Sequence, residues 1–397
     1  MPVRIVPLRV TAYTLTSAAG AGREATLAAL RGYRSGLRAN DFSTPPLDTW
    51  IGRVTGLEDR PLPAHLRAWD SRNNRLAWLG LETDGFAERV AAVRARHGAD
   101  RVAVVIGTST ASIGGTEEAY RRLGPRGEFP ADLAIPAIHN PQSAAGFVQQ
   151  ALDLDGICLT VATACSSSAK VFAQAERLLR LGLADAAVVG GVDSLCGSVL
   201  FGFNSLELLS PEPCRPFDVG RRGINIGEAA GFALLERDGA AGPWLRGYGE
   251  SSDAHHMSSP HPEGLGARAA ISAALGSGGL VPGDVRYINL HGTASLKNDE
   301  VEAAVVAGAF PATTRASSTK AWTGHTLGAA GIVEAAIAML AIEHDFVPGT
   351  LNCGSLDPCC GPQIATRNEE ADVALALSFS FGFGGSNCVL AFARSRS

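Results

Sequence analysis

Short apolar runs alternate along the chain with segments whose apolar residues recur every three to four positions. The runs at 101–107, 157–162 and 186–195 are short and apolar, a pattern typical of buried strands. The periodic segments 74–96 and 164–182 predict helices with one apolar face. This alternation predicts an α/β protein with a largely parallel sheet at its core.

The second half of the chain repeats the alternation. It predicts a strand at 285–290, a strand pair around Gly382, and helices at 264–275, 299–307 and 326–343. No repeat of residues relates the two halves, but the order of their elements is similar. We therefore expect two related halves, residues 1–243 and residues 244–397, with no linker between them.

Composition narrows the class of protein. A formal net charge of −5 and a pI of about 6.0 argue against nucleic acid or an anionic membrane as the main partner. Arg4 and Arg9 interrupt the apolar N-terminal run, so it does not read as the centre of a signal peptide. The longest apolar helical stretch, 329–342, is too short for a membrane span and contains Glu334. We expect a cytoplasmic protein without a membrane span.

Eight cysteines are spread irregularly through the chain, unlike those of a small disulfide-stabilised domain. Cys353, Cys359 and Cys360 lie close together, but no second cysteine pair or nearby histidine accompanies them. A structural zinc site takes four such ligands. The sequence therefore predicts neither a metal nor a cofactor.

Cys165 stands where a predicted buried strand leads directly into a helix, in the motif TACSSS. At a helix N-terminus, the helix dipole and the free N–H groups favour a thiolate, and they can lower a cysteine pKa from about 8.5 by a unit or more. The other cysteines lack this setting. The pattern makes Cys165 a candidate nucleophile, although a buried, inert cysteine fits the same local pattern.

Two histidines share a setting that favours a functional site. His291 follows the predicted strand YINL and opens HGTAS, and His325 lies in STKAWTGHTLGAAG, just before a helix rich in small residues. Each could also be a structural histidine with satisfied hydrogen bonds. We interpret the loop histidines without this setting as structural; they are His139, His255, His256 and His261.

Charged residues and a glycine-rich loop accompany these candidates. Lys320 precedes the second histidine by five residues, and Asp299, Glu302 and Glu334 lie on or near the helices at the two histidine motifs. Buried carboxylates there would orient Lys320 and the imidazoles. The loop SFGFGGSN, from Ser380, lacks the helix of a phosphate-binding loop, and its N–H groups can stabilise an oxyanion.

The motifs together resemble those of one family. TACSSS, HGTAS, STKAWTGHTLGAAG and SFGFGGSN, in this order, resemble the elongating β-ketoacyl-ACP synthases of thiolase-like fold. CRPFD from Cys214 and GYGESSDAHHMSSPHPEG from Gly247 match the same family, and the resemblance covers nearly the whole chain. WIGRV, DSRNNRLAWL and SLCGSVLFGFNSLELLSPEPCRPFD are most similar to the ketosynthases of bacterial aryl-polyene and related pigment clusters.

This resemblance implies a duplicated thiolase-like fold with α-β-α-β-α layers. It implies decarboxylative Claisen condensation, in which malonyl-ACP extends an acyl group held on Cys165. The amides of Cys165 and Phe383 would form the oxyanion hole, and His291 and His325 would stabilise the enolate. The resemblance assigns supporting roles to Lys320, Glu302 and Glu334, and an acyl pocket or gate to Phe381, Phe383, Ile113 and Phe379.

Three departures from the family pattern bear on which substrate and chain length are accepted more than on the reaction itself. Arg222 stands where the family usually has Asp, and Phe379 where Asn is frequent. Ala294 and Ser295 replace a threonine-rich motif after His291, although Ser295 keeps a hydroxyl. None of these changes removes a catalytic group.

Several alternatives share the fold. A thiolase would use one histidine and a second cysteine, and an initiating synthase carries Asn where His325 stands. A non-catalytic chain-length-factor subunit loses the nucleophile, whereas Cys165 is present in an intact TACSSS. Primary fatty-acid elongation is the alternative pathway for the same reaction.

Two kinds of protein partner follow from the resemblance. An acyl carrier protein is acidic, so docking to this net acidic chain needs a local basic surface, for which the candidates are Arg72, Arg75, Arg121, Arg122 and Arg126. The family pairs through a sheet edge, as a homodimer or with a chain-length-factor subunit. The apolar strand 157–162 lacks the charges that protect an exposed edge.

Overall fold

The computed structural model describes residues 4–131, 140–238 and 242–396, so His139 lies outside the described residues. The strands are β1 (Leu8–Ser17), β2 (Gly20–Ala21), β3 (Leu37–Ala39), β4 (Trp50–Gly52), β5 (Val102–Gly107), β6 (Cys158–Val161), β7 (Ala186–Asp193), β8 (Ile226–Gly227), β9 (Ala229–Glu236), β10 (Trp244–Ser252), β11 (Tyr287–Asn289), β12 (Arg315–Ser317), β13 (Phe346–Val347), β14 (Glu369–Glu370), β15 (Leu375–Gly382) and β16 (Ser386–Ala393). The α-helices are α1 (Arg23–Arg31), α2 (Arg72–Glu82), α3 (Phe86–His97), α4 (Ile113–Arg121), α5 (Ser143–Ala151), α6 (Ser167–Arg180), α7 (Gly197–Ser205), α8 (Leu265–Gly278), α9 (Leu296–Ala309), α10 (Lys320–Thr323) and α11 (Ala330–His344).

One large sheet organises the described residues. Its strand order is β12-β11-β15-β16-β10-β1-β9-β7-β5-β6, with β2 paired to β1. The two halves of the chain meet where β1 pairs with β10. When the main-path strands are numbered within their own half, both sets have the order 1-5-4-2-3 outwards from that central pair. The arrangement confirms the predicted duplicated α/β fold.

The sheet is mixed, which corrects the largely parallel sheet that the apolar runs predicted. The central strands β9, β1, β10 and β16 pair in antiparallel fashion. Only the outer pairs are parallel: β7 with β5, β5 with β6, β15 with β11, and β11 with β12. The candidate motifs follow the carboxyl ends of these outer strands, where α/β sheets hold their ligands.

The segment 74–96 forms two helices rather than the single helix that its periodicity predicts. Asp84 and Gly85 lie between α2 and α3 with φ angles of 58° and 67°. This left-handed backbone ends the first helix and turns the chain before the second begins.

Helix α11 and the turn before it form a buried core element. Within the described residues, 327–344 is long and apolar enough to cross a membrane, but 89% of this segment is buried inside the protein. The sequence predicted a helix over 326–343, and the structure has a 3₁₀ turn, Leu327–Ala329, that leads directly into α11. A Cβ at Gly331 would lie 2.4 Å from the backbone nitrogen of Ala169, so this glycine lets α11 and α6 approach closely.

Candidate active site

Cys165 lies in the connection between β6 and α6, as the strand-to-helix pattern predicted. The preceding residue, Ala164, has a φ angle of 52°, a left-handed conformation that few non-glycine residues adopt. The turn is held by hydrogen bonds from Ser167, whose hydroxyl accepts the Thr163 amide proton at 2.9 Å and donates to the Ala164 carbonyl. This sharp turn presents the thiol at the inner end of a cavity while leaving it 5% exposed.

The glycine-rich loop after β15 packs directly on this turn. The Phe383 amide donates a hydrogen bond to the Cys165 sulfur. A Cβ at Gly382 would lie 3.2 Å from the Cys165 backbone nitrogen, so a glycine there keeps the space beside that N–H open. The loop therefore places the Phe383 amide at the sulfur and the backbone of Gly382 beside the Cys165 nitrogen, and the oxyanion hole of residues 165 and 383 stays a prediction.

The two histidines stand beside the thiol. His325 Nε2 lies 3.1 Å from Cys165 Sγ, and the rings of His291 and His325 are 5.4 Å apart and nearly perpendicular. Cys165, His291 and His325 each offer one possible metal-ligand atom, and these atoms lie within 4.8 Å of one another. Among the described residues, this is the group whose spacing would suit a metal ion. The nearby Lys320 ammonium opposes a metal cation there.

Lys320 occupies the space behind His291. Its ammonium pairs with Glu334, donates to the His291 carbonyl, and lies 3.5 Å from His291 Nδ1. An ammonium can only donate, so this contact makes Nδ1 the acceptor and leaves the imidazole proton on Nε2. Lys320 and Glu334 are each 2–3% exposed, which makes the pair a buried one.

Burial sets the protonation states of the site. It lowers the pKa of His291 and of His325 well below the usual range, and the Lys320 charge lowers both further. Burial also raises the pKa of the Cys165 thiol to about 11, and the hydrogen bond from Phe383 and the Lys320 charge only partly oppose it. The prediction of a lowered cysteine pKa is therefore wrong for the resting site, because loss of water on burial has the larger effect.

Two buried carboxylates hold the loop that carries His291. Glu302 accepts the backbone N–H groups of His291 and Gly292, each at 2.7 Å, and Asp299 accepts that of Ala294 at 3.2 Å. Burial raises the pKa of Glu302 to about 8. Glu302 thus orients the His291 backbone rather than Lys320 or an imidazole ring, whereas Glu334 contacts Lys320 as expected.

A cavity of about 400 Å³ leads from solvent to these groups. Cys165, His291 and His325 line its inner end together with Phe381 and Phe383. Phe203, on α7, stacks on Phe383 with ring centroids 5.5 Å apart. The sequence did not identify Phe203, because α7 lies far from the glycine-rich loop along the chain and only the fold brings them together.

Two predicted pocket residues lie elsewhere. Phe379 is fully buried and packs between Phe310 and Phe381, with ring centroids 6.4 and 5.4 Å away, so it lies behind Phe381 rather than in the cavity. Phe379 and Phe381 lie on the same face of β15, because side chains two residues apart in a strand point the same way. Phe379 is in the buried part of the strand, whereas Phe381 is near its end and lines the cavity. Ile113 is 37% exposed at the start of α4 and does not line the cavity in this single chain.

Most of the predicted docking arginines already bind carboxylates. Arg72 forms a two-pronged pair with buried Glu228 and also pairs with Glu58, which corrects its assignment to a free basic surface. Arg75 binds both oxygens of Asp70 at 2.6 Å. Arg121 pairs with Glu118 at the surface, and Arg122 also makes a polar interaction. Arg126 is 91% exposed and lies 3.8 Å from Glu128.

The neutral thiol makes a prediction about alkylation. Because the Cys165 pKa is raised to about 11, its thiolate fraction should increase about tenfold for each pH unit between 7 and 9. The rate of Cys165 labelling by iodoacetamide, followed by peptide mass spectrometry, should increase in proportion. A rate that levels off below pH 8 would instead reveal a preformed thiolate–imidazolium pair.

The Arg72 pair makes a prediction about stability. Arg72→Ala would leave the fully buried Glu228 side chain without its cation, which should lower the free energy of unfolding by about 3 kcal/mol or more in urea denaturation. Arg75→Ala is the matched control, because its more exposed pair with Asp70 should contribute less than about 1 kcal/mol. Equal stability of the two variants would contradict a structural role for Arg72.

Comparison with known proteins identifies the family. Residues 74–241 match the model "Beta-ketoacyl synthase, N-terminal domain", and residues 244–354 match "Beta-ketoacyl synthase, C-terminal domain". The chain is 33% identical over 354 residues to Nodulation protein E of Rhizobium meliloti (strain 1021), covering 85% of this chain and 88% of that relative. It is 34% identical over 316 residues to 3-oxoacyl-(acyl-carrier-protein) synthase 2 of Staphylococcus aureus (strain COL), covering 75% and 76% of the two chains.

A solved structure agrees with these matches. The ketosynthase ApeO, in complex with its chain length factor ApeC from Xenorhabdus doucetiae, superposes with a TM-score of 0.89 at 35% sequence identity, and 98% of each chain is covered. The thiolase-like ketosynthase fold predicted from the motifs is therefore confirmed. The chain belongs to the β-ketoacyl synthase family, whose members are condensing acyltransferases.

Proposed function

We propose that Cys165 accepts an acyl group from acyl-ACP in the first half of the reaction. The thiol proton passes to His325 Nε2, 3.1 Å away, as the sulfur attacks the thioester carbonyl. The amides of Cys165 and Phe383 stabilise the tetrahedral oxyanion. The carrier thiol then leaves with the proton from His325, so the acyl-enzyme forms without net gain or loss of a proton.

In the second half, malonyl-ACP enters the same cavity. The carbon–carboxylate bond breaks to release CO₂, and its electron pair becomes an enolate whose oxygen accepts hydrogen bonds from His291 and His325. Because His325 has returned the thiol proton by then, its one ring proton moves from Nδ1 to Nε2 before it donates. Two donors in a site this dry can stabilise the developing charge by roughly 3 kcal/mol or more. The enolate carbon attacks the acyl carbonyl, the bond to sulfur breaks, and the β-ketoacyl chain remains on its carrier while the Cys165 thiolate takes up one proton from solvent.

The observation that carries this proposal is the pair of neutral histidines beside one buried thiol. Neutral imidazoles can donate to an enolate oxygen without protonating its carbon, and Lys320 supports this by holding the His291 proton on Nε2. Lys320, Glu334 and Glu302 act as positioning residues, since they contact His291 or its loop rather than the cavity's reacting atoms.

We infer that the pathway is aryl-polyene, pigment or a similar specialised biosynthesis. The motif resemblance and the 35% identity to the ApeO ketosynthase support this inference. Primary fatty-acid elongation is the second candidate, favoured by the 34% identity to a 3-oxoacyl-(acyl-carrier-protein) synthase 2. The presence of Cys165 in the site opposes a chain-length-factor subunit. All eight cysteines are free, which agrees with a cytoplasmic location.

We propose that each chain consists of two thiolase-like halves, residues 1–243 and 244–397. We also propose that two chains form a dimer through the edge strand β6. In the described residues β6 ends the large sheet, and its residues are half-buried in the single chain. The Gln142 side chain donates a hydrogen bond to the Cys158 carbonyl and accepts one from the Thr160 N–H, so it satisfies two backbone groups of β6. Ile113, Tyr120 and Phe129 are exposed apolar side chains that a partner could cover.

Separating the two half-reactions tests the roles of the histidines. His291→Ala should reduce malonyl-ACP decarboxylation by about 10²-fold or more while acyl transfer to Cys165 persists. His325→Ala should reduce both steps, because His325 Nε2 lies 3.1 Å from the sulfur and takes its proton. Decarboxylation is followed by CO₂ release and acyl transfer by intact-protein mass. Normal decarboxylation by either variant would refute the shared role.

Assembly is tested by purifying the chain alone, and then together with any synthase-like subunit encoded beside it that lacks the cysteine. We expect a stable dimer that buries well over about 2,000 Å², the range of obligate interfaces. The structure of ApeO with its chain length factor favours a heterodimer. Light scattering gives the oligomeric state, and condensation assays give the activity. A fully active monomer would contradict obligate pairing, and an active homodimer unaffected by the second subunit would contradict the heterodimer.

A further inference from the structure

The rim of the cavity carries two cations that the proposed reaction does not use. Arg222 and Lys297 both line the cavity, and their side chains are 62% and 77% exposed. The reacting residues at the inner end are almost fully buried: Cys165 is 5% exposed and His291 and His325 are each 3% exposed. The two cations therefore lie at the opposite end of the cavity from the bond-forming groups.

Arg221 and Arg222 are adjacent, but their environments differ sharply. The Arg221 side chain is 3% exposed and is fixed by Asp357 at 2.6 Å and by Asp299 at 3.7 Å, so it is a structural residue. Arg222 contacts Glu212 at 3.1 Å in an exposed pair. Such a pair is weak, so the guanidinium can turn towards an anion that enters the cavity. This is the position at which the family usually has Asp.

Two carboxylates, Asp253 and Glu207, also line the cavity, and they differ in how far they can offset the charges of Arg222 and Lys297. Asp253 already accepts hydrogen bonds from the Asn387 side chain at 2.8 Å and from the His261 amide at 3.0 Å, so its charge is partly satisfied within the protein. Glu207 is exposed in the cavity lining. An anion bound at the rim would be attracted by Arg222 and Lys297 and repelled by Glu207.

We propose that Arg222 and Lys297 bind the phosphate of the phosphopantetheine arm through which a carrier protein presents its thioester. This proposal rests on the proposed function, because it concerns the same substrates. The thioester end of the arm must reach Cys165, and the malonyl carboxylate must lie near the histidines, so neither places an anion at the exposed rim. The phosphate at the far end of the arm places an anion at this rim. A guanidinium and an ammonium are the side chains that bind phosphate most strongly.

Matched small substrates isolate this contact from carrier-protein docking. Cys165 is first acylated with a hexanoyl N-acetylcysteamine thioester, and condensation is then measured with malonyl-pantetheine or with malonyl-4′-phosphopantetheine. The wild type should have the lower KM for the phosphorylated substrate. Arg222→Asp should raise that KM about tenfold, while the KM for malonyl-pantetheine and kcat for both should stay near wild type. Lys297→Ala should have a smaller effect of the same kind.

Two further variants make the test specific. Arg215→Ala removes another arginine that pairs with Glu212 but does not line the cavity, so it should leave the KM ratio unchanged. Glu207→Gln should lower the KM for the phosphorylated substrate, because it removes a repelling charge. Equal KM values for the two substrates in the wild type, or a ratio unaffected by Arg222→Asp, would overturn the phosphate site. Failure of the wild type to condense either substrate would instead contradict the proposed function.

Discussion

The buried ammonium of Lys320 is the group on which the arrangement of the site depends. It connects Glu334 on the core helix, the carbonyl of His291 after β11, and the ring of the same histidine. Its charge also helps to lower the pKa of both histidines and partly opposes the burial that raises the cysteine pKa. Removing either partner of such a pair would leave an uncompensated charge in a dry interior. The pair thus links the stability of the core to the protonation state of Cys165 and the two histidines, the groups proposed to react.

The duplicated sheet explains how distant parts of the chain supply one site. Cys165 follows β6 from the first half, whereas His291, Lys320 and Phe383 follow β11, β12 and β15 from the second. Close packing of α6 on α11, which Gly331 permits, holds the two halves in register. Because each functional group is attached to a different strand end, the fold can fix their mutual distances even though no two of the motifs are adjacent in the chain.

The sequence singled out residues that the fold brings together in one site, because each occupies a distinctive local setting. Cys165 was recognisable from a strand that leads straight into a helix, and Glu334 from a charge inside an apolar helix. Properties that depend on tertiary surroundings were not recognisable. The raised pKa of Cys165 depends on how completely the folded chain excludes water. The burial of Phe379 and the pairing of Arg72 with Glu228 depend on side chains distant in sequence. The antiparallel centre of the sheet was also missed, because buried strands of either kind have the same apolar pattern.

A single-turnover experiment tests the central claim most directly. Enzyme carrying a hexanoyl group on Cys165 is mixed with malonyl-ACP labelled with ¹³C in the free carboxyl group, and the products are quantified by mass spectrometry. The account predicts that each acyl group lost from Cys165 yields one labelled CO₂ and one 3-oxooctanoyl-ACP that contains no label. Formation of the β-ketoacyl product while the acyl group stays on Cys165, or retention of the label in that product, would contradict decarboxylative condensation at this cysteine.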